Sequence, residues 1–388
     1  MMEGIPERNK MKDKRIAVIG AGNGGHAMAA HKTLDGFEVH LFEMPTFASN
    51  IRHVLDTHQI TVEWSNRQET VRISKVTTDI ATAVKGAQII FVVTPAFGHK
   101  AIAELLAPYV EEGQIIILMP GSGGSLEFAQ IFKVGNVKKN VLLCECCTLP
   151  YGTRLDRPAH VLIHREAVTL PTGIFPSIRT DEAIARLQEV YPKIVATANV
   201  LEAALNNPNP IVHPAATLLS ISRIEYSEGE FYLYREAMTP AVARTFEALE
   251  RERFAILDQL GLKFHHYSNL HFRNFNLGET MEECHERILS TTMDAAFGVN
   301  SIQAGIEMKG PKSMQDRFIT EDVPYGLVLL STLGQLLAIP TPTSDAIINL
   351  SGSINRTDYW VEGRGVNDLG LGGMSTEQIR EFLRNGSA

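Results

Sequence analysis

Residues Arg15–His26 read RIAVIGAGNGGH, and this stretch decides the fold. The apolar run Ile16–Ile19 leads directly into Gly20, Gly22 and Gly25 at the spacing G-x-G-x-x-G. Small residues follow at once: Ala27, Ala29 and Ala30. The order is that of a buried strand, a tight glycine turn and the start of a helix. Gly20 permits the turn, Gly22 lets backbone approach a pyrophosphate, and Gly25 lets helix and strand pack closely. The first turn of the helix, with Asn23 and Gly24, turns unpaired N–H groups toward the phosphates. After a helix-length gap a second apolar run, Val39–Phe42, ends in Glu43. A carboxylate there can accept from the ribose hydroxyls and would repel a 2′-phosphate, so the expected cofactor is NAD, with NADP disfavoured.

Outward from this stretch, apolar runs alternate with helix-length segments as far as about Tyr151. Gln88–Val93 (QIIFVV), Gln114–Met119 (QIIILM) and Val141–Cys144 are nearly continuous, and such strands indicate a parallel sheet covered on both faces. Thr61–Val62 and Val71–Ile73 interleave polar residues and read as short, more exposed strands. Val161 to about Val195 reads as a peripheral strand pair plus a helix over Asp181–Val190. Ligands of such sheets lie beyond the carboxyl ends of the strands. The expected site loops are therefore Gly20–Gly25, Thr94–His99, Pro120–Ser125 and Thr148–Arg154, with Thr94 and Pro95 beside the nicotinamide.

With 388 residues the chain is too long for one core. The expected division is a Rossmann-type α/β domain over 1–196 and an all-α domain over 197–388. The second half turns helical after Asn206-Asn207-Pro208-Asn209-Pro210. Thr239-Pro240 is a good N-cap and N1 pair for a helix ending at Gly261. Further helices are expected at Thr280–Leu289, Gly326–Leu337, Asp345–Ser351 and Ser375–Leu383. A net charge of −8 with no basic block argues against nucleic acid. Met1–Lys14 lacks the apolar stretch of a signal peptide, and no run is long enough to span a bilayer. Cys144, Cys146, Cys147 and Cys284 form no disulfide or zinc pattern, so buried reduced thiols in a reducing cytoplasm are expected. Assembly as a homodimer is held open.

Two stretches carry chemistry. His213 lies in NPNPIVHPAATLL, read as a proline-broken loop delivering it to a helix with Pro214 at N1. Imidazole suits acid–base work near neutrality, although with 13 histidines in the chain composition alone favours an ordinary capping role. RFITEDVPYG, Arg317–Gly326, sets a guanidinium ahead of Glu321 and Asp322. The arginine can hold a carboxylate bidentately, and an acid can orient a histidine and stabilise its charged form. The same pattern also suits a polar helix start. His265, His266, His271, Glu283 and His285 lack metal-ligand spacing, so no metal is expected. Asp345 reads as a helix-start residue.

Together the pieces resemble the opine dehydrogenase family (the octopine/nopaline dehydrogenase group). They are GAGNGG (Gly20–Gly25), VTPAFGH (Val93–His99), TLPYGTR (Thr148–Arg154), NPNPIVHPAATLL (Asn207–Leu219), MTPAVARTFEALERER (Met238–Arg253), RFITEDVPYGLV (Arg317–Val328) and TPTSDAIINL (Thr341–Leu350). They span nearly the whole chain in order. The resemblance implies a Rossmann domain followed by a helical opine dehydrogenase domain. It implies condensation of an α-keto acid with an amino acid and reduction of the imine by NAD(P)H. It also implies His213 and Asp322 as a catalytic pair, Arg317 on a substrate carboxylate and Thr148 near the keto acid. A simple 2-keto or 3-hydroxy acid reductase, or a non-catalytic nucleotide-binding protein, are the rival readings.

Overall fold

The computed structural model describes residues 14–64, 67–264, 280–283 and 309–387. Twelve strands are described: β1 (Arg15–Ile19), β2 (Glu38–Phe42), β3 (Gln59–Trp64), β4 (Arg67–Arg72), β5 (Lys75–Thr77), β6 (Ile89–Val92), β7 (Ile115–Leu118), β8 (Leu142–Cys146), β9 (Tyr151–Arg157), β10 (His160–Glu166), β11 (Leu170–Phe175) and β12 (Ile194–Ala196). Eight of them form one sheet in the order β12-β11-β8-β7-β6-β1-β2-β5. Its central pairings are parallel. The apolar runs are continuous because both faces are buried. Ala17 and Ile19 enter one core while Ile16 and Val18 enter the other, the alternation a strand imposes. The first core runs on into the helical half, through Leu201, Phe246, Leu330 and Leu383.

The expected peripheral pair is divided between two sheets. β9 and β10 form a hairpin in a second sheet of order β4-β3-β10-β9. β11 instead joins the main sheet, antiparallel to β8, with all six residues buried. Gly173 makes this possible, since a Cβ there would stand 2.3 Å from the Asn199 carbonyl oxygen.

The second half is helical among the described residues. Thr239 Oγ1 accepts from Val242 N, and the helix Pro240–Leu260 ends at Gly261 with φ +69°. The expected start at Asp345 moves to Pro342–Asn355, and the last helix is Thr376–Asn385 behind a Ser375–Gln378 capping box. Most of the helix expected at Thr280–Leu289, and His265, His266, His271 and His285, lie outside the described residues. Among the described residues no group of acids, histidines and cysteines could hold a metal, and no helix is long and apolar enough to cross a membrane.

Candidate active site

The glycine turn at the end of β1 has the geometry its sequence demands. Gly20 has φ +97°, and a Cβ there would stand 2.7 Å from the Thr94 methyl and 2.8 Å from the Val93 carbonyl oxygen. A Cβ on Gly25 would lie 1.8 Å from the Gly20 carbonyl oxygen, so helix and turn touch backbone to backbone. Around Gly22 the position of a Cβ is open, with no atom within 4 Å. The helix Asn23–Leu34 has no side-chain cap and no acid in its first turn. Its free N–H groups and positive end suit a pyrophosphate. Glu43, just past β2, accepts from Ala21 N at 2.9 Å and from Met44 N at 2.8 Å. Its carboxylate therefore sits at the rim of the turn, where a ribose would lie. Asn23 Oδ1 accepts from Leu155 N at 2.9 Å, so its side chain ties the helix to β9 while its backbone stays in the first turn. These residues fit a dinucleotide.

The N-terminus of the helix that follows β7, Gly124–Val134, is already satisfied from within the protein. Glu145 of β8 is fully buried, and its carboxylate accepts from Gly123 N at 2.9 Å and Ser125 N at 3.0 Å, and from the Ser125 hydroxyl. Burial raises its pKa, and these hydrogen bonds oppose the rise. A Cβ on Gly121 would stand 2.2 Å from Glu145 Cβ. That glycine makes room for a carboxylate of the chain itself, where the sequence suggested close approach of a ligand.

Thr94 and Pro95 follow β6, and Thr94 Oγ1 is buried with no partner among the described residues. The Ala96 backbone is held from both sides. Ala96 N donates to Glu321 Oε1 at 2.8 Å, and the Ala96 carbonyl accepts from Arg364 Nη2 at 3.1 Å. Arg364 is 2 % exposed; it also donates to Glu127 at 2.6 Å and to the Ser122 carbonyl at 3.0 Å, and its guanidinium lies 5.0 Å from the centre of the Tyr325 ring. The helical half thus grips the two loops beyond β6 and β7. Burial, and then the charge of Asp322, raise the pKa of Glu321.

His213 comes from the helix Asn209–Leu218. The helix starts a turn earlier than its prolines suggest. Pro210 occupies the first turn, and Pro214 lies inside with no hydrogen to give the Pro210 carbonyl. His213 is therefore mid-helix. Its Nδ1 is 2.8 Å from Asp322 Oδ2 across 109 residues of chain, and its Nε2 is 2.8 Å from the Tyr234 hydroxyl. Phe318 stacks on the ring with centroids 4.1 Å apart. Asp322 precedes a π-turn, Val323–Leu327, and faces the histidine. Phe318 and Asp322 are four residues apart around the turn, which lets both reach one ring.

Among the described residues no hydrogen bond or ion pair joins Arg317 or Thr148 to this pair. The Arg317 side chain is 63 % exposed and lies 3.4 Å from Glu321. Thr148 is buried at the end of β8, and its neighbour Leu149 packs against Gly24. Sequence reasoning missed Tyr234, Phe318 and Arg364. Phe318 lay inside a stretch already singled out; Tyr234 and Arg364 carry no motif signal.

A glycine turn that fits a dinucleotide on a mostly parallel sheet, tied through Ala96 and Glu321 to a helical half that carries a His–Asp pair, is the arrangement of a two-domain nicotinamide-dependent dehydrogenase. The family model described as NAD/NADP octopine/nopaline dehydrogenase, alpha-helical domain, matches residues 196–355, and that of the NAD-dependent glycerol-3-phosphate dehydrogenase N-terminus matches 15–122. An opine dehydrogenase of Arthrobacter sp. (strain 1C) is 35% identical over 374 residues, 96% of this chain and 99% of that protein. The chain belongs to the opine dehydrogenase family and is an NAD(P)-dependent oxidoreductase acting on CH–NH donors. Octopine dehydrogenase solved with NADH and pyruvate has the same fold, at TM-score 0.70 and 17% identity over 97% of this chain and 98% of that one. Yersinopine dehydrogenase solved with NADP+ also shares it, at TM-score 0.70 and 16% identity over 96% and 98% of the two chains.

Proposed function

We propose that the protein condenses an α-keto acid, such as pyruvate, with the amino group of an amino acid and reduces the imine to a secondary-amine dicarboxylate. The observation that carries this reading is the His213–Asp322 pair, assembled from distant parts of the helical half and braced by Phe318. When bound, the reduced nicotinamide supplies hydride to the C=N carbon. The free helix N-terminus at Gly22–Gly25 holds its pyrophosphate, and Glu43 takes the ribose hydroxyls in preference to a 2′-phosphate. Thr94 and Pro95 border the nicotinamide end.

His213 gives a proton in the reductive direction and takes one in the oxidative direction. Asp322 accepts from Nδ1–H, fixes the tautomer and opposes the positive charge that forms on the ring. Arg317 is the carboxylate anchor; its exposed guanidinium is free to turn from Glu321 to a substrate. Thr148 borders the keto acid. We divide the chain near residue 197, where the last described strand gives way to helices. Three buried cysteines, Cys144, Cys146 and Cys147, fit a reducing cytoplasm. In the His213→Ala variant, turnover should fall at least about 100-fold while NADH binding, read by nucleotide fluorescence, persists. Wild-type turnover in that variant would remove His213 from the chemistry.

A further inference from the structure

The imidazole of His213 has a partner at each nitrogen. A carboxylate only accepts, so Nδ1 keeps its hydrogen toward Asp322. The proton exchanged in acid–base work is then the one at Nε2. Among the described residues that nitrogen meets a phenol, the Tyr234 hydroxyl, at 2.8 Å. One ring face is closed by Phe318 at an interplanar angle of 24°, and the His213 side chain is 13 % exposed. A phenol oxygen both donates and accepts, so it can take a proton from Nε2 and release its own. Tyr234 is itself 6 % exposed. Burial, and then the charge of Asp322, raise its pKa, against the opposing charge of Arg165. The hydroxyl therefore stays protonated between turnovers. Glu321 is the second carboxylate acting on the ring.

We propose that Tyr234 is a further catalytic residue, the hydroxyl that carries the proton between His213 and the substrate nitrogen. The proposal rests on His213 being the acid–base group. In the reductive direction, hydride adds to the imine carbon with its electron pair, and the π pair of C=N moves onto nitrogen. That nitrogen takes the hydroxyl proton of Tyr234. The O–H pair stays on the phenol oxygen, which takes the proton from Nε2 of the charged imidazole in the same step. His213 ends neutral, Tyr234 ends as the phenol, and the reductant is the reduced nicotinamide of the family reaction. Oxidation of the product runs the same path backward.

The test is Tyr234→Phe beside His213→Ala, with two readouts. The first needs no turnover: the 15N resonance of His213 Nε2 in histidine-labelled protein without coenzyme. It should move away from its hydrogen-bonded position in Tyr234→Phe, and an unmoved resonance would overturn the contact. The second is kinetic. Tyr234→Phe should lower kcat about 100-fold with NADH affinity and keto-acid KM unchanged. Its rate in H2O–D2O mixtures should change from curved dependence on deuterium content, two protons in flight, to linear. If Tyr234→Phe turns over at the wild-type rate or faster, with a lower keto-acid KM, while His213→Ala is inactive, substrate displaces the phenol and the relay is refuted. If His213→Ala keeps wild-type turnover, the acid–base reading beneath the proposal fails instead.

Discussion

Replacing Gly25 by alanine adds one methyl group at the most crowded point of the cofactor cradle. The new Cβ would lie 1.8 Å from the Gly20 carbonyl oxygen and 2.8 Å from its carbon, against an ordinary contact distance of 3.4 Å or more. The shortfall, 3.4 minus 1.8, is 1.6 Å, and the atoms in the way are backbone. No rotamer change relieves it; the helix must lift off the turn or the turn must open. Overpacking of this kind costs about 1–3 kcal/mol where side chains can yield, and the upper end applies here. The paired control is Gly22→Ala, whose Cβ meets nothing within 4 Å. It should leave the melting temperature unchanged, yet place a methyl where the pyrophosphate must approach. The assay is thermal unfolding without coenzyme, followed by NADH titration monitored by fluorescence. Gly25→Ala should lose both several degrees of stability and NADH binding; Gly22→Ala should lose binding alone. A Gly25→Ala protein of wild-type melting temperature, or a Gly22→Ala protein that binds NADH normally, would refute the geometry assigned to the turn.

Three further outcomes follow from the same contacts. Glu43→Ala should reduce the NADH-over-NADPH ratio of kcat/KM by roughly tenfold, about 1.4 kcal/mol, and an unaltered ratio would deny the ribose contact. Arg364→Ala strands the mostly buried Glu127 and the carbonyls of Ala96 and Ser122. Breaking such a pair costs about 3–5 kcal/mol, which urea unfolding would register, and a loss below about 1 kcal/mol would mean the arginine grips nothing. His99 is fully buried, and burial, then the charge of Arg364, hold its pKa well below the ordinary 6.5. The folded state refuses a proton that the unfolded chain accepts. Stability is therefore complete above about pH 6.5 and falls on acidification by on the order of 1 kcal/mol per pH unit. His99→Phe should flatten that slope by about one proton, and an identical slope would contradict it.

Much of this architecture was legible along the chain. The strand–glycine–helix order at Arg15–Leu34 is local, and Gly25 answers to a contact within the turn itself, whereas Gly20 answers to Val93 and Thr94 beyond β6. The continuous runs of β6 and β7 report burial on both faces, and Thr239 and Gly261 mark helix ends because capping is local too. What escaped depends on distant chain. β11, LPTGIF, carries a proline and a glycine that weaken a strand in isolation; its place is set by β8 beside it and by the Asn199 backbone against Gly173. Pro214 read as a helix start because a proline inside a helix is costly. The true start lies at Asn209, whose N–H is taken by Asn207 Oδ1 at 3.0 Å. The buried acid between Cys144 and Cys146 went unremarked, since only the folded sheet brings it under the Gly123–Ser125 turn. Asp322 stood between two readings until the fold brought His213 to it. Tyr234 has no spacing that marks it, and only the hydrogen bond to Nε2 singles it out.

The central claim is that this site reduces an imine assembled from two substrates. The measurement that meets it most directly is NADH oxidation by the purified protein with pyruvate, with and without a panel of amino acids, products identified by mass spectrometry. The account predicts oxidation only when keto acid and amine are both present, and a product whose mass is that of the N-(carboxyalkyl) amino acid. Oxidation with pyruvate alone, yielding lactate and indifferent to every amine, would contradict it.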